Sequence, residues 1–268
     1  MDITIVGLGI RLPDQVTRET ERALAACNEV LFVDTAIPAR AWLEGLCPRV
    51  TDLYAESYRE RGLRTSAYRH MAARTLQAAL ERAPVAFAMQ GHPLVYAYAP
   101  ALIRDLAPLL GLSVQVLPGI SSMDCLFADL GLDPCAAGLQ LYEATDLLLR
   151  RRPLQPDVPL LVWQVGTVET RLHTEATSRP ERFERFTAHL LRFYPPTHEV
   201  VAYFAAPFPL FPPRIERFPL GDLPAHAASL HPGVTLLVPA VGERPVADLD
   251  LLAVVDDPCH LARLTGPG

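Results

Sequence analysis

Three short stretches of this chain bring together residue types able to hold a polar ligand: Gly7-Leu8-Gly9, Gln90-Gly91-His92-Pro93 and Leu117-Pro118-Gly119-Ile120-Ser121-Ser122. Glycine lets backbone turn sharply or approach a bound molecule closely. His92 offers a ring nitrogen. Ser121 and Ser122 offer hydroxyls at a helix start, where free amides can meet a carboxylate or another polar edge. Each stretch also has a plain structural reading: a tight turn, a capped loop histidine, an N-cap. The first is not a dinucleotide fingerprint, because Leu12 stands where a third glycine is needed and Pro13 and Asp14 lengthen the loop before any helix.

The elements that must position these loops are short apolar runs alternating with longer amphipathic ones. Residues 3–6, 30–33, 85–89, 114–117, 160–165, 200–204 and 234–238 read as strands, and their continuous Val, Leu and Phe content predicts a largely parallel sheet buried on both faces. Residues 17–27, 66–83, 98–110, 121–130 and 182–192 carry helical spacing, several after a Thr, Ser or Pro start signal. The order is that of an α/β fold built from βαβ units. Each ligand-holding stretch then follows a strand, and ligands of open α/β sheets sit outside the carboxyl ends of strands. One shared cleft is expected. A domain boundary is expected near residue 118, giving an N-terminal α/β domain over 1–117 and a C-terminal α/β domain over 118–240. From about Pro195 strands dominate, with proline-rich joints at 207–209 and 211–213. A looser tail, lacking strong caps, is expected over 241–268. Its apolar run Leu251-Leu252-Ala253-Val254-Val255 reads as a packing helix or a partner contact.

Composition narrows the function classes. Half of the 268 residues are hydrophobic, and the net charge of −6 comes without any basic stripe, which argues against nucleic acid or an anionic membrane as partner. Cys27, Cys47, Cys125, Cys135 and Cys259 are odd in number and widely spaced, with no His cluster at metal-ligand spacing, so neither a disulfide framework nor a metal site is expected. The first residues lack the layout of a signal peptide, and no apolar run reaches spanning length, which points to a reducing cytoplasm.

In their order and spacing the three loops resemble the tetrapyrrole methylase superfamily, which implies two α/β domains with S-adenosylmethionine in the cleft between them. Within it, the stretches Met123-Asp124-Cys125-Leu126-Phe127-Ala128-Asp129-Leu130-Gly131-Leu132-Asp133-Pro134, Tyr142-Glu143-Ala144-Thr145-Asp146-Leu147-Leu148-Leu149-Arg150 and Trp163-Gln164-Val165-Gly166 resemble the borosin methyltransferases, which methylate backbone amides of a ribosomally made peptide. That resemblance gives weight to Tyr58, Arg64 and Tyr68, which stand at the spacing of a borosin Tyr-Arg-Tyr set. Without it, they would read as an arginine-rich connection entering an ordinary amphipathic helix.

The chemistry explains the residue types. An amide nitrogen is a poor nucleophile because its lone pair is delocalised into the carbonyl. The N–H needs a base, and the oxygen needs a donor as it gains charge. A phenol with an unperturbed pKa of about 10 serves as base only beside a cation. The resemblance therefore implies Tyr68 as base, Arg64 as its electrostatic partner and Tyr58 as donor to the amide oxygen, with the division between the tyrosines open. It implies further that Gly9, His92, Pro93, Val95, Ser121, Ser122, Trp163 and Gln164 line or border the cofactor pocket, joined by Tyr203, Ala205 and Thr235 from later strands. S-adenosylhomocysteine is the implied product, and no metal is needed. Gln90 departs from the tyrosine expected before Gly-His-Pro.

Some borosin enzymes carry the substrate fused behind the enzyme, and others act on a separate precursor. The short stretch after residue 240 predicts the second arrangement, and the resemblance implies a homodimer. Two alternatives stand beside this reading: a methylase of small tetrapyrroles or corrinoids, and a degenerate module that binds cofactor but only recognises a partner.

Overall fold

The computed structural model describes residues 1–34, 37–208 and 210–266. The first sheet joins β1 (Ile3–Gly7), β2 (Glu29–Val33), β3 (Val50–Asp52), β4 (Val85–Met89) and β5 (Val114–Leu117) in the order β3-β2-β4-β1-β5, every pairing parallel. All five residues of β1 are buried, as a strand covered by helices on both faces requires. The covering helices are α1 (Arg18–Ala25), α2 (Ile37–Glu44), α3 (Leu53–Ser57), α4 (Arg64–Arg82) and α5 (Ala99–Leu106). On one face Ile3, Ile5 and Phe87 pack with Met71 and Leu76 of α4. On the other, Val6, Val30 and Phe32 pack with Leu24 of α1 and Leu43 of α2. The alternation of β1 residues between the two cores is the two-residue period of a strand.

After α6 (Ser122–Leu130), the second sheet runs β6-β7-β10-β8-β9, from β6 (Gln140–Glu143), β7 (Leu160–Trp163), β8 (Glu199–Phe204), β9 (Arg214–Pro219) and β10 (Thr235–Val238). Between its strands lie α7 (Ala144–Leu149) and α8 (Glu184–Leu190), and Phe183, Phe186, Leu147 and Leu190 fill its larger core. Here the expectation of largely parallel strands is corrected. Only β6 and β7 run parallel, and β7/β10, β10/β8 and β8/β9 are antiparallel. Apolar runs report burial on both faces, not direction, and α6 covers the Leu161, Val201 and Leu237 face as effectively as a crossover helix would.

Other differences are local. β7 stops at Trp163, two residues before the end expected, because Gln164 turns left-handed. The short strands β3, β6 and β9 escape the apolar signal, since Thr51, Asp52, Gln140, Glu143, Arg214, Glu216 and Arg217 interrupt it. Pro212 and Pro213 lead into β9, whereas Pro209 of the other proline joint lies outside the described residues. The tail was expected without strong caps. It instead forms α9 (Leu249–Val254) and α10 (Pro258–Leu264), capped by Asp248 and Asp257, neither helix burying a residue against the rest of the chain. An aspartate three residues before the apolar run was the overlooked signal.

Candidate active site

β4, β1 and β5 are neighbours, so the three glycine-containing loops leave adjacent strand ends, and the contacts among them are as close as backbone permits. A Cβ on Gly7 would lie 2.3 Å from the Gly91 carbonyl oxygen and 2.8 Å from the Gly119 Cα, and one on Gly119 would lie 2.5 Å from the same oxygen. Gly9, at φ 73°, accepts a hydrogen bond from the Gly91 amide at 2.8 Å. The Gln15 side chain accepts from the amides of Ile10 and Arg11, each at 2.9 Å, and fixes the loop beyond. Glycine is thus required at three places by crowding and at Gly9 also by its left-handed backbone.

A cavity of about 290 Å³ opens above these loops and extends to the end of β7 and the start of β10. Among the residues expected around the cofactor, His92, Val95, Ser121, Ser122, Trp163, Gln164, Ala205 and Thr235 line it, and so does Gln90. Three do not. Gly9 and Pro93 shape the loops behind the wall. Tyr203 is fully buried, and its hydroxyl donates to Asp129 Oδ2 at 2.6 Å beneath the site. Burial first, then the Asp129 carboxylate, pushes the Tyr203 phenol well up. The plain structural readings hold as well. His92 Nδ1 accepts from the Leu94 amide at 3.1 Å. Ser121 caps α6 in a reciprocal box with Asp124, a device worth about 1 kcal/mol.

A second cavity of about 450 Å³ adjoins the first and contains Tyr58, Arg64 and Tyr68 together. Arg64 opens α4, and its guanidinium donates across to the second half of the chain: to Thr167 Oγ1 at 2.8 Å, to the Thr170 carbonyl at 2.8 Å and, at a long 3.4 Å, to Gln164 Oε1. These partners are neutral, and among the described residues no carboxylate forms an ion pair with Arg64, so its charge is left to act on the Tyr58 phenol. The Tyr58 and Tyr68 rings meet edge to face, with centroids 6.3 Å apart, and Tyr58 packs on His173 at 4.6 Å. Burial, then the Tyr68 phenol, pushes Tyr58 strongly up, with Arg64 opposing. Tyr58 is therefore held protonated.

The chain also ties its two halves together beside this cavity. Leu63 and Leu172 form an antiparallel bridge, flanked by Arg61 N–H to His173 O at 2.8 Å, His173 N–H to Gly62 O at 2.8 Å and Arg64 N–H to Arg171 O at 2.9 Å. Glu60 accepts from the Thr174 hydroxyl at 2.7 Å and from the Glu175 amide at 3.2 Å.

Sequence reasoning missed several wall residues. Thr167, Thr170 and His173 lie in a stretch with neither strand nor helix period. Gly233 carried a signal, the turn His231-Pro232-Gly233 ahead of β10, and a Cβ there would meet the Phe204 ring at 2.8 Å. Tyr96, at φ 52°, stacks on Trp163 with centroids 5.0 Å apart. Gln164, at φ 54°, borders both cavities. Non-glycine residues held left-handed often mark functional sites.

Residues 2–221 match the family of Tetrapyrrole (Corrin/Porphyrin) Methylases. The chain is similar to a methyltransferase/ribosomally synthesized cyclic peptide gymnopeptides precursor of Gymnopus fusipes, 32% identical over 82% of this chain and 52% of that one. It is similar also to a methyltransferase/ribosomally synthesized type I borosin cyclic peptide precursor of Coprinopsis marcescibilis, 34% identical over 82% of this chain and 57% of that one. The chain thus spans little more than half the length of these relatives. Among solved structures its fold resembles the methyltransferase CobJ, with TM-score 0.63 and 23% identity over 91% of this chain and 96% of that one. It also resembles a uroporphyrin-III C-methyltransferase from Thermus thermophilus complexed with S-adenosyl homocysteine, with TM-score 0.60 and 18% identity over 88% and 96%.

Proposed function

The chain belongs to the Tetrapyrrole (Corrin/Porphyrin) Methylase family, and from that premise we propose that it is an S-adenosylmethionine-dependent methyltransferase acting on backbone amides of a peptide supplied as a separate chain. The observation that carries this reading is the abutment of two cavities at Gln164, one walled by glycine loops and the other by two phenols and a guanidinium. The peptide substrate is supported by the relatives, whose names join a methyltransferase to a cyclic-peptide precursor in one chain. Separate supply of the peptide is the finer part of the proposal.

The glycine-loop cavity suits a nucleoside-sized ligand. Its 290 Å³ lies near the lower end of the roughly 300–1,000 Å³ usual for small-molecule sites. Its wall combines the buried Trp163 ring, the Ser121 and Ser122 helix start, and the backbone of Gly91. Among the described residues no cluster suited to a metal ion occurs. S-adenosylmethionine, when bound, supplies a methyl group already activated on a sulfonium.

The remaining work falls to this chain's side chains. Tyr68 takes the amide proton, on the same cavity wall as the Arg64 guanidinium. Tyr58, held protonated by burial, donates a hydrogen bond to the amide oxygen as the imidate forms. Gln164, bordering both cavities, aligns the nitrogen with the donor at near-attack distance. The proton passes from nitrogen to the Tyr68 oxygen, and the charge left on the imidate oxygen is met by the Tyr58 O–H.

Two measurements test the reading. Calorimetry with S-adenosylhomocysteine is expected to show one site per chain, weakened by about ten-fold or more in Gly119→Ala. Co-incubation with S-adenosylmethionine and synthetic aliphatic peptides is expected to add 14 Da increments, by mass spectrometry, that fragment to backbone nitrogen. Methylation of a corrinoid in place of every peptide would move the chain to the small-molecule reading, and binding without turnover would make it a recognition module.

A further inference from the structure

On the far side of Arg64 and Tyr68 from Tyr58 lies a third cavity, of about 410 Å³, which shares Arg64, Tyr68 and Gln164 with the one described above. Tyr96 and Glu143 also line it. Glu143 is the last residue of β6, and Trp163 is its registered partner on β7, so the two side chains leave the same face of the sheet from neighbouring strands. Their polar atoms are unusual. Among the described residues Glu143 Oε1 and Trp163 Nε1 are both shielded from solvent and without a hydrogen-bond partner. Trp163 is 8% exposed. Glu143 is held in place by its other oxygen, which accepts from the Asp146 amide at 2.7 Å.

An orphaned carboxylate oxygen costs free energy that a folded chain normally avoids, and an orphaned indole N–H adds to it. An acceptor and a donor on neighbouring strands have a natural complement. In an extended peptide the N–H and C=O of one residue point to the same side, as in the hydrogen-bonded pair of an antiparallel ladder. We propose that Glu143 and Trp163 form a backbone subsite beside the reacting amide, the carboxylate accepting the N–H and the indole donating to the C=O of one neighbouring substrate residue. The ligand class is an extended peptide recognised by its main chain, so side-chain identity matters little at that position. Tyr96 stands over the subsite, stacked on Trp163 and lining the same cavity as Glu143, so it is the side chain that must move when a peptide enters. The subsite rests on the peptide reading above and adds to it a fixed register between a bound residue and the methylated one.

The test scans the substrate, not the enzyme alone. A pool of ten-residue amidated peptides built from Gly, Ala, Val, Ile and Leu is offered with S-adenosylmethionine, and a methylated member is resynthesised with a single N-methyl group at each position in turn. The parent enzyme is expected to lose about ten-fold or more in kcat/KM at one position other than the reacting amide, the size of a hydrogen bond to a charged acceptor. Glu143→Gln replaces the free oxygen by an amide donor or leaves the cap unmade, and Glu143→Asp keeps a capping carboxylate but withdraws it by one methylene. Both variants are expected to erase that position's penalty to within about two-fold while S-adenosylhomocysteine binding and melting temperature stay near parent values. Persistence of the same penalty in both variants would overturn the subsite and leave the peptide reading intact. Loss of S-adenosylhomocysteine binding in both would assign Glu143 to the fold and overturn it too. Failure of the parent to methylate any peptide removes both readings together.

Discussion

The two central cavities are made rigid in opposite ways. Around the glycine loops the wall is backbone: Gly7 and Gly119 are fixed because nothing larger fits between them and the Gly91 carbonyl, and Gly91 by its left-handed φ of 74°. Around Tyr58, Arg64 and Tyr68 the wall is side chain, and the arginine is fixed by hydrogen bonds to Thr167 and Thr170 across the chain's two halves. Exclusion positions the first site and directed bonds position the second. An added methyl group should therefore damage one, and a removed hydroxyl or a reshaped cation the other.

The sharpest way to break the comparison is Tyr68→Phe, which preserves shape and removes the proposed proton acceptor. Methylation in single turnover is expected to fall by about 10²–10⁴-fold, with S-adenosylhomocysteine affinity near parent. A parent rate in this variant returns Tyr68 to an ordinary helix residue. Next in size is Arg64→Lys. Lysine keeps the charge but cannot span Thr167 Oγ1 and the Thr170 carbonyl with a planar fork, and a loss of about 10²-fold in kcat/KM is expected. Equal activity would show that charge alone suffices.

Gly119→Ala probes the other cavity. Its Cβ would sit 2.7 Å from the Gly7 Cα, so the loops must part, at a cost of about 1–3 kcal/mol in stability and about ten-fold or more in cofactor affinity. Denaturant melts and calorimetry read the two effects separately, and an unchanged dissociation constant would mean that these loops do not hold the ligand. The smallest effect belongs beneath the site. Tyr203 has its phenol raised above the ordinary value by burial and Asp129, so the folded state holds that proton more tightly than the unfolded chain. The resulting stability is complete below about pH 10 and is lost as pH rises beyond it. Melting temperature should hold up to about pH 10 and drop above it, and Tyr203→Phe should shrink that drop; an identical drop in the variant would remove Tyr203 as its source.

What could be read from sequence follows the same division. Strands β1, β4 and β5, with their glycine turns, were legible because a parallel strand writes its burial as a continuous apolar run and a backbone-walled loop demands glycine itself. Loops from adjacent strand ends then meet by topology. The antiparallel half was misjudged because apolar runs carry no direction. Thr167, Thr170 and His173 were invisible because their task is to hold Arg64 and Tyr58 across more than a hundred residues of sequence, and no local period records such a partner. Tyr203 illustrates the reverse error: it shares its sheet face with Thr235 and Ala205, but its ring is buried under α6 with its hydroxyl on Asp129, so it stops short of the wall.

The Leu63–Leu172 bridge has a consequence for motion. Its three backbone hydrogen bonds join the segment that begins α4 to the segment that follows β7, and Arg64 itself supplies one of the donors. The cleft cannot gape without withdrawing the guanidinium from the amide it would serve. Access and activity are thus one conformational variable, and the amides of Arg61, Arg64 and His173 should exchange with deuterium as a single cooperative unit whose opening rate sets an upper limit on turnover wherever peptide must enter from that side.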